Sequence, residues 1–320
     1  MPTAEEALAR LAAIPNVTVL EHAPLARYTR FGIGGPADLY AETGNEEAFL
    51  AALAATRSCG LPAVIIGGGT NLIVSDRGFR GVALRYRGDA LSANGERVDA
   101  QAGAVLQDLV DFAIARGLAG LETLAGIPGS VGAAIYGNAG AYGHSIAERV
   151  ASVRAYDGRD VRVLDNRECQ FQYRGSVFKS RKEWFVFSAT LRLEPADAAA
   201  LRRRADEILE IRNEKFPPTM KCAGSIFKNL LAKDLPAAVT ALVPASSVRE
   251  GKIAAAWFLE QIGAKGMARG DIHVAAYHAN LLYNAGAGTA ADLCALIDEL
   301  KARVRARFGI ELEEEVQYVG

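Results

Sequence analysis

The chain has 320 residues, half of them hydrophobic, and its 36 basic and 37 acidic side chains leave a formal net charge of −1. This length exceeds one small core and argues for two or three domains of an ordinary globular protein. The balanced charge provides no general field for nucleic acid or a membrane surface, and no apolar run approaches the roughly 18 residues of a spanning helix.

The opening stretch MPTAEEALARLAAI carries Glu5 and Glu6 and no basic region, so it does not read as a signal peptide, and the cytoplasm is the expected compartment. A first unit, 1–85, holds a helix at Glu46–Arg57 capped by Asn45 and stopped near Gly60, then an apolar strand at 63–66. A second unit, 86–210, is richer in strands: Arg97–Ala102, Val150–Tyr156, Val161–Leu164 and Trp184–Leu193, with a helix at Leu106–Arg116. Helix formers over Asp197–Arg212 predict a long connecting helix. A third unit, 211–309, carries a helix near Ala254–Ile262, a strand near Asn280–Asn284, and a helix from Thr289 to Phe308 stopped by Gly309. Ile310–Val319 then alternates as an extended strand, which puts Glu313 and Glu315 on one side and Leu312 and Val316 on the other. The pattern is α+β with mixed sheets.

Two glycine-rich segments stand out. GGGTNLIVSD at 67–76 follows the 63–66 strand, and GIPGSVGAAIYGNAGAYG at 126–143 contains six glycines and no charged side chain. Glycine admits positive φ and lets backbone N–H groups approach phosphate oxygens or a polar ring edge, although a tight packed loop would look the same. The Rossmann fingerprint fails, because Leu72 stands where its third glycine belongs, and no Gly-Lys-Ser/Thr occurs for a P-loop. Phosphate binding therefore survives while both common nucleotide folds are disfavoured.

Other candidates are weaker. His273 and His278 are five apart, not on one helical face, and the four cysteines are dispersed without a C-x-x-C, so no metal site is expected. Ser130 and Ser225 lack the G-x-S-x-G elbow of a serine hydrolase. Arg174 reads as an exposed cation in a turn, and Glu313, Glu314 and Glu315 as a solvated acidic run. Arg174-Gly-Ser-Val-Phe-Lys-Ser180 and Ala223-Gly-Ser-Ile-Phe-Lys-Asn229 echo one another, each presenting a hydroxyl and a cation.

Taken in order, YTRFGIGGPAD (28–38), GGGTNLIVSD, GIPGSVGAAIYGNAGAYG, YRGSVFK (173–179), AGSIFKN (223–229) and ELEEEV (311–316) resemble the UDP-N-acetylenolpyruvoylglucosamine reductase (UDP-N-acetylmuramate dehydrogenase) family over roughly Tyr28 to Gly320. The resemblance implies a two-subdomain FAD-binding region of the vanillyl-alcohol-oxidase (PCMH) type, 1–85 and 86–210, with 310–320 rejoining the first, and an α+β substrate domain at 211–309. It implies non-covalent FAD held by Gly67, Gly68, Gly69, Thr70 and Asn71 and by Gly126, Ile127, Pro128, Gly129, Ser130, Gly132 and Ala133. NADPH is the implied co-substrate. The implied activity reduces the enolpyruvyl group of a UDP-sugar to the lactyl ether of UDP-N-acetylmuramate, a peptidoglycan precursor.

Carried over by position, Arg174 is the catalytic arginine, Ser225 the proton donor and Glu315 the catalytic glutamate, while Lys215 and Asn229 hold the substrate diphosphate. No insertion bearing a substrate tyrosine lies between Leu193 and Phe216, so the chain is similar to the shorter type of the family. It departs from the pattern at Leu230, which replaces a proline, and in a longer 231–252 segment. No obligate protein partner is evident. Two rivals stay open at this stage: a flavin oxidase of the same fold, and a non-catalytic flavoprotein that senses UDP-sugars.

Overall fold

A computed structural model describes residues 4–320. Two compact units emerge, each assembled from separated stretches of chain. The first comprises the residues up to Ala23, Ala37–Gly68 and Arg80–Pro217; the second comprises Pro24–Pro36, Gly69–Phe79 and Pro218–Gly320.

The first unit is built on two larger sheets over one continuous apolar core. One sheet has the order Thr18–Glu21, Ala37–Thr43, Phe79–Tyr86, Ala63–Ile65, with the first pair antiparallel and the last pair parallel. The other is five-stranded and antiparallel, ordered Val161–Asp165, Val150–Tyr156, Phe185–Arg192, Arg97–Gln101, Leu91–Asn94. Helix Glu46–Ser58 starts where the Asn45 side chain accepts the Ala48 N–H, and it buries Phe49 into an aromatic knot with Tyr86, Phe185 and Phe187. Helix Ala198–Lys215 runs three residues beyond the expected end at Arg212, because Asn213 and Glu214 are tolerated in a last turn and Pro217 enforces the stop. Its buried stripe of Leu201, Ala205 and Ile208 repeats at helical spacing.

The second unit is organised around the antiparallel sheet Lys221–Ser225, Leu281–Asn284, Ile272–Val274, Ala268–Arg269. Helix Ala290–Phe308 is fixed at both ends. Thr289 accepts the Asp292 N–H, the Asp76 carboxylate accepts the N–H groups of Ala290 and Ala291, and Gly309 closes the helix at φ +66°. The long 231–252 segment is structured: Leu230–Leu231, Lys252–Ile253 and Val248–Arg249 form a small sheet, with short helical turns between them.

Two expectations need correction. The 126–143 segment is not all turn, since Val131–Gly137 forms a short helix capped by Ser130. Nor does the chain end in one continuous strand. Only Gln317–Val319 is strand, paired in parallel with Leu72–Val74, and a bend at Glu315 and Val316 breaks the alternation that was to align Glu313 with Glu315.

Candidate active site

Within the first unit, the glycine segment packs where its glycines allow it. A Cβ at Gly126, which sits at φ +73°, would lie 2.9 Å from Leu209 Cδ1, and one at Gly132 would lie 2.8 Å from Ala102 Cβ. Several N–H groups here are already used internally. Gly126 donates to Gln107 Oε1, Val131 to the Ala104 carbonyl, Gly132 to the Ala102 carbonyl, and Ala133 to Ser130 Oγ. What the segment offers a ligand is close approach and an uncharged surface more than a row of free donors. The Gly67–Asn71 turn differs. Among the described residues, the N–H groups of Gly67, Gly68, Gly69 and Asn71 donate to no protein acceptor, a set suited to the oxygens of a pyrophosphate.

Arg174 occupies a two-residue turn closed by reciprocal hydrogen bonds between Gln172 and Gly175, at 3.0 and 3.1 Å. Its φ is +55°, and its Nη1 donates to the Gly140 carbonyl at 2.9 Å. The motif that carries Arg174 and the glycine segment, 34 residues apart in sequence at this contact, are thereby brought together.

Lys215 ends helix Ala198–Lys215, with Arg212 one turn before it; both cations lie over the Phe216 ring, at 5.3 and 5.7 Å from its centroid. Lys215 as a whole is exposed, yet desolvation, followed by the charge of Arg212, lowers its pKa below the ordinary lysine value. An anion arriving there would reverse that effect and favour the ammonium. Arg212 escaped the sequence reading. Its spacing of three from Lys215 on one helix was the available signal, and its side chain runs beside Gly126.

In the second unit, strand Lys221–Ser225 carries an irregular register between Cys222 and Ser225, with Gly224 at φ +75° and open space around it. Ser225 thus stands at the end of a bulged strand, where side chains are re-aimed. Buried Asn280 secures the following residues: its Oδ1 accepts the Phe227 N–H at 2.9 Å, and its Nδ2 donates to the Phe227 carbonyl at 2.9 Å. The Glu315 N–H donates to the Ile226 carbonyl at 2.7 Å, so Ser225 and Glu315 lie on adjoining segments. Asn71 fastens the same bend, donating through Nδ2 to the Glu315 carbonyl at 2.9 Å and accepting the Gln317 N–H at its own carbonyl. The Asn71 Nδ2 is therefore committed to the protein, while its backbone N–H is left to face a cofactor.

The three consecutive glutamates have separate fates. Glu313 pairs with Lys228 on the surface, Glu314 pairs with Lys301 at 2.9 Å, and Glu315 sits half-buried in the bend beside Ser225's segment. Asn229 Oδ1 accepts the Ala255 N–H at 3.4 Å, at the start of helix Ala255–Gln261. The histidines are separately engaged: His273 stacks on Tyr283, and buried His278 accepts the Asn280 N–H. Among the described residues, no group of three or more His, Cys, Asp or Glu side chains could hold a metal ion.

Comparison with known proteins gives a consistent result. A family model for the C-terminal domain of UDP-N-acetylenolpyruvoylglucosamine reductase matches residues 216–319, and one for an FAD binding domain matches residues 37–165. The chain is 66% identical over 311 residues to the UDP-N-acetylenolpyruvoylglucosamine reductase of Solibacter usitatus, covering 97% of this chain and 100% of that protein. With the enzyme of the same name from Rubrobacter xylanophilus it is 39% identical over 302 residues, covering 93% and 94%. The crystal structure of the UDP-N-acetylenolpyruvylglucosamine reductase of Thermus caldophilus superposes with a TM-score of 0.74 at 27% identity, covering 95% of this chain and 99% of that one.

Proposed function

The chain belongs to the UDP-N-acetylenolpyruvoylglucosamine reductase family, and on that premise we propose that Arg174, Ser225 and Glu315 carry its chemistry. The protein is an FAD-dependent oxidoreductase that uses NADPH to reduce the enolpyruvyl group of its UDP-sugar substrate in peptidoglycan precursor synthesis. The unengaged N–H groups at Gly67, Gly68, Gly69 and Asn71 fit a dinucleotide pyrophosphate, and the uncharged 126–143 segment fits a ring system. FAD would be held by these two segments and would supply the hydride chemistry between NADPH and the substrate double bond.

The protein's own task follows from where charge develops. Hydride addition to the terminal carbon leaves negative charge on the carbon beside the carboxylate, and that charge delocalises only by making the carboxylate more anionic. Arg174 answers this with a planar fork of donors, and one preorganised donor of this kind is worth about 3–4 kcal/mol. Ser225 then delivers its hydroxyl proton to the α-carbon, which as a carbanion is a strong enough base to take it. Glu315 orients the carboxylate end of the substrate. Lys215 and Asn229 hold the diphosphate.

The observation that carries the assignment is the Glu315 N–H to Ile226 carbonyl hydrogen bond, which supports a shared role for Ser225 and Glu315. We further read the protein as cytoplasmic, with no nucleic-acid, membrane or obligate protein partner. In support, no helix among the described residues is long and apolar enough to cross a membrane, and basic and acidic residues nearly cancel.

The deciding experiment is Ser225→Ala in stopped flow without oxygen. NADPH should bleach the flavin at a near-normal rate, while reoxidation by the enolpyruvyl substrate slows by several orders of magnitude, because the donor acts after hydride transfer. Equal slowing of both steps would make Ser225 structural. In the unsubstituted protein, recovery of colour only with O2 would favour an oxidase, and no bleaching would favour a sensor.

A further inference from the structure

The turn that carries Arg174 is held in a backbone conformation that arginine does not favour. With φ positive at Arg174 and not at Tyr173, the Gln172–Gly175 turn follows the type II pattern, whose third position suits glycine or asparagine. An arginine there stores strain of about 1 kcal/mol or more, and persists only if its surroundings over-determine it.

We propose that Asn138 is the positioning residue that fixes Arg174 for its task, an inference that rests on Arg174 being the carboxylate-holding group. Asn138 is 8% exposed. Its Nδ2 donates at 3.0 Å to the Gln172 carbonyl, the same oxygen that accepts the Gly175 N–H and closes the turn. Its Oδ1 accepts the Ala147 N–H at 3.2 Å, which fixes the orientation of the amide. Asn138 also ends helix Val131–Gly137 in the left-handed region, at φ +45°.

Two residues further on, the Gly140 carbonyl takes the Arg174 guanidinium. One side chain thus ties the backbone that launches the arginine to the backbone that receives its head group. Ser176 and Lys179 brace the same turn, through Ser176 Oγ to the Tyr136 carbonyl at 2.8 Å and Lys179 Nζ to the Arg174 carbonyl at 3.1 Å.

The amide can be removed without disturbing the backbone. Asn138→Gly keeps the left-handed conformation at no steric cost and deletes only the side-chain hydrogen bonds. Asn138→Asp keeps the shape but turns a carboxylate oxygen towards the Gln172 carbonyl. In both, NADPH should bleach the flavin at a near-normal rate, which also reports an intact holoenzyme. Reoxidation by the enolpyruvyl substrate should slow about 10–100-fold, the scale of a misplaced catalytic group.

The decisive comparison is Arg174→Lys alone and combined with Asn138→Gly. If Asn138 acts through Arg174, the double variant is no slower than Arg174→Lys. Additive slowing in the double variant, equal slowing of both half-reactions, or loss of the bound flavin in both Asn138 variants would overturn the inference by making Asn138 merely structural. Normal reoxidation in the Asn138 variants beside slow reoxidation in Arg174→Lys would refute the positioning role and leave the reading of Arg174 standing. Normal reoxidation in Arg174→Lys itself would remove that reading, and the inference with it.

Discussion

Gly69 and Gly60 have nearly the same backbone, at φ +62° and +64°, and very different surroundings. Around Gly60, the residue that closes helix Glu46–Ser58, an added Cβ meets nothing within 4 Å. At Gly69 the Cβ would fall inside the carbonyl oxygen of Tyr28 and 2.7 Å from its carbonyl carbon. The collision is with backbone, which cannot rotate aside, and the two stretches are clamped by the Arg30 N–H to Gly69 carbonyl hydrogen bond at 3.0 Å.

Gly60→Ala should therefore cost only the left-handed backbone term, about 1–2 kcal/mol. Gly69→Ala carries the same term plus an overpacking term of about 1–3 kcal/mol, for a total of about 2–5 kcal/mol. Urea titration of both variants at saturating FAD, compared at equal slope, measures the difference. Flavin retained through purification is a second readout. Gly69→Ala should lose cofactor if its N–H serves the cradle we propose at 67–71, while Gly60→Ala should stay fully yellow. Equal midpoint shifts together with equal flavin content would refute the reasoning, since they would mean that the backbone approach at Tyr28 is not a constraint.

FAD should be released entirely into the supernatant on acid precipitation, because the Gly67–Asn71 turn carries neither His nor Cys and His144, which follows the 126–143 segment, is paired with Glu148 at 2.9 Å; yellow colour in the pellet would establish a covalent link. Among the terminal glutamates, Glu313→Gln and Glu314→Gln should keep near-normal turnover under saturating NADPH, each losing only a lysine partner. Glu315→Ala should lose most of its turnover and Glu315→Gln less, since the amide retains a donor and the shape. A dead Glu313 variant beside an active Glu315 variant would move the catalytic carboxylate to Glu313.

Elements announced by their ends were legible in the sequence. Asn45 marks the start of helix Glu46–Ser58, and Thr289 with Gly309 brackets helix Ala290–Phe308, because capping is a local interaction between a side chain and the nearest orphan N–H groups. Helix Val131–Gly137 was not legible. Its two glycines and short length give it poor intrinsic propensity, and it forms because Ser130 caps it and because Gly132 alone fits against Ala102. The terminal strand misled for the converse reason. Its alternation is real as far as Glu313, but the Glu315 backbone bonds to Ile226 and Asn71, partners more than 80 residues away in sequence, instead of continuing a ladder.

The site divides along the same line. Arg174, Ser225 and Glu315, which we propose carry the chemistry, sit in motifs that can be read by resemblance, whereas bends and turns of the fold are held by amides that grip distant main chain. Asn71 holds the Glu315 carbonyl, Asn280 holds both polar groups of Phe227, Asn138 holds the Gln172 carbonyl, and Asn284 donates to the Phe31 carbonyl while accepting N–H groups from Gly286 and Gly288. An amide presents a donor and an acceptor side by side, so it can satisfy a peptide group in both senses, which neither a carboxylate nor an ammonium can do. Buried main chain requires such partners wherever no ladder or helix supplies them. Bends and left-handed turns at a reacting centre are places of that kind. Acids, bases and nucleophiles are therefore legible in the sequence, whereas the amides that hold bends and left-handed turns in this fold are not.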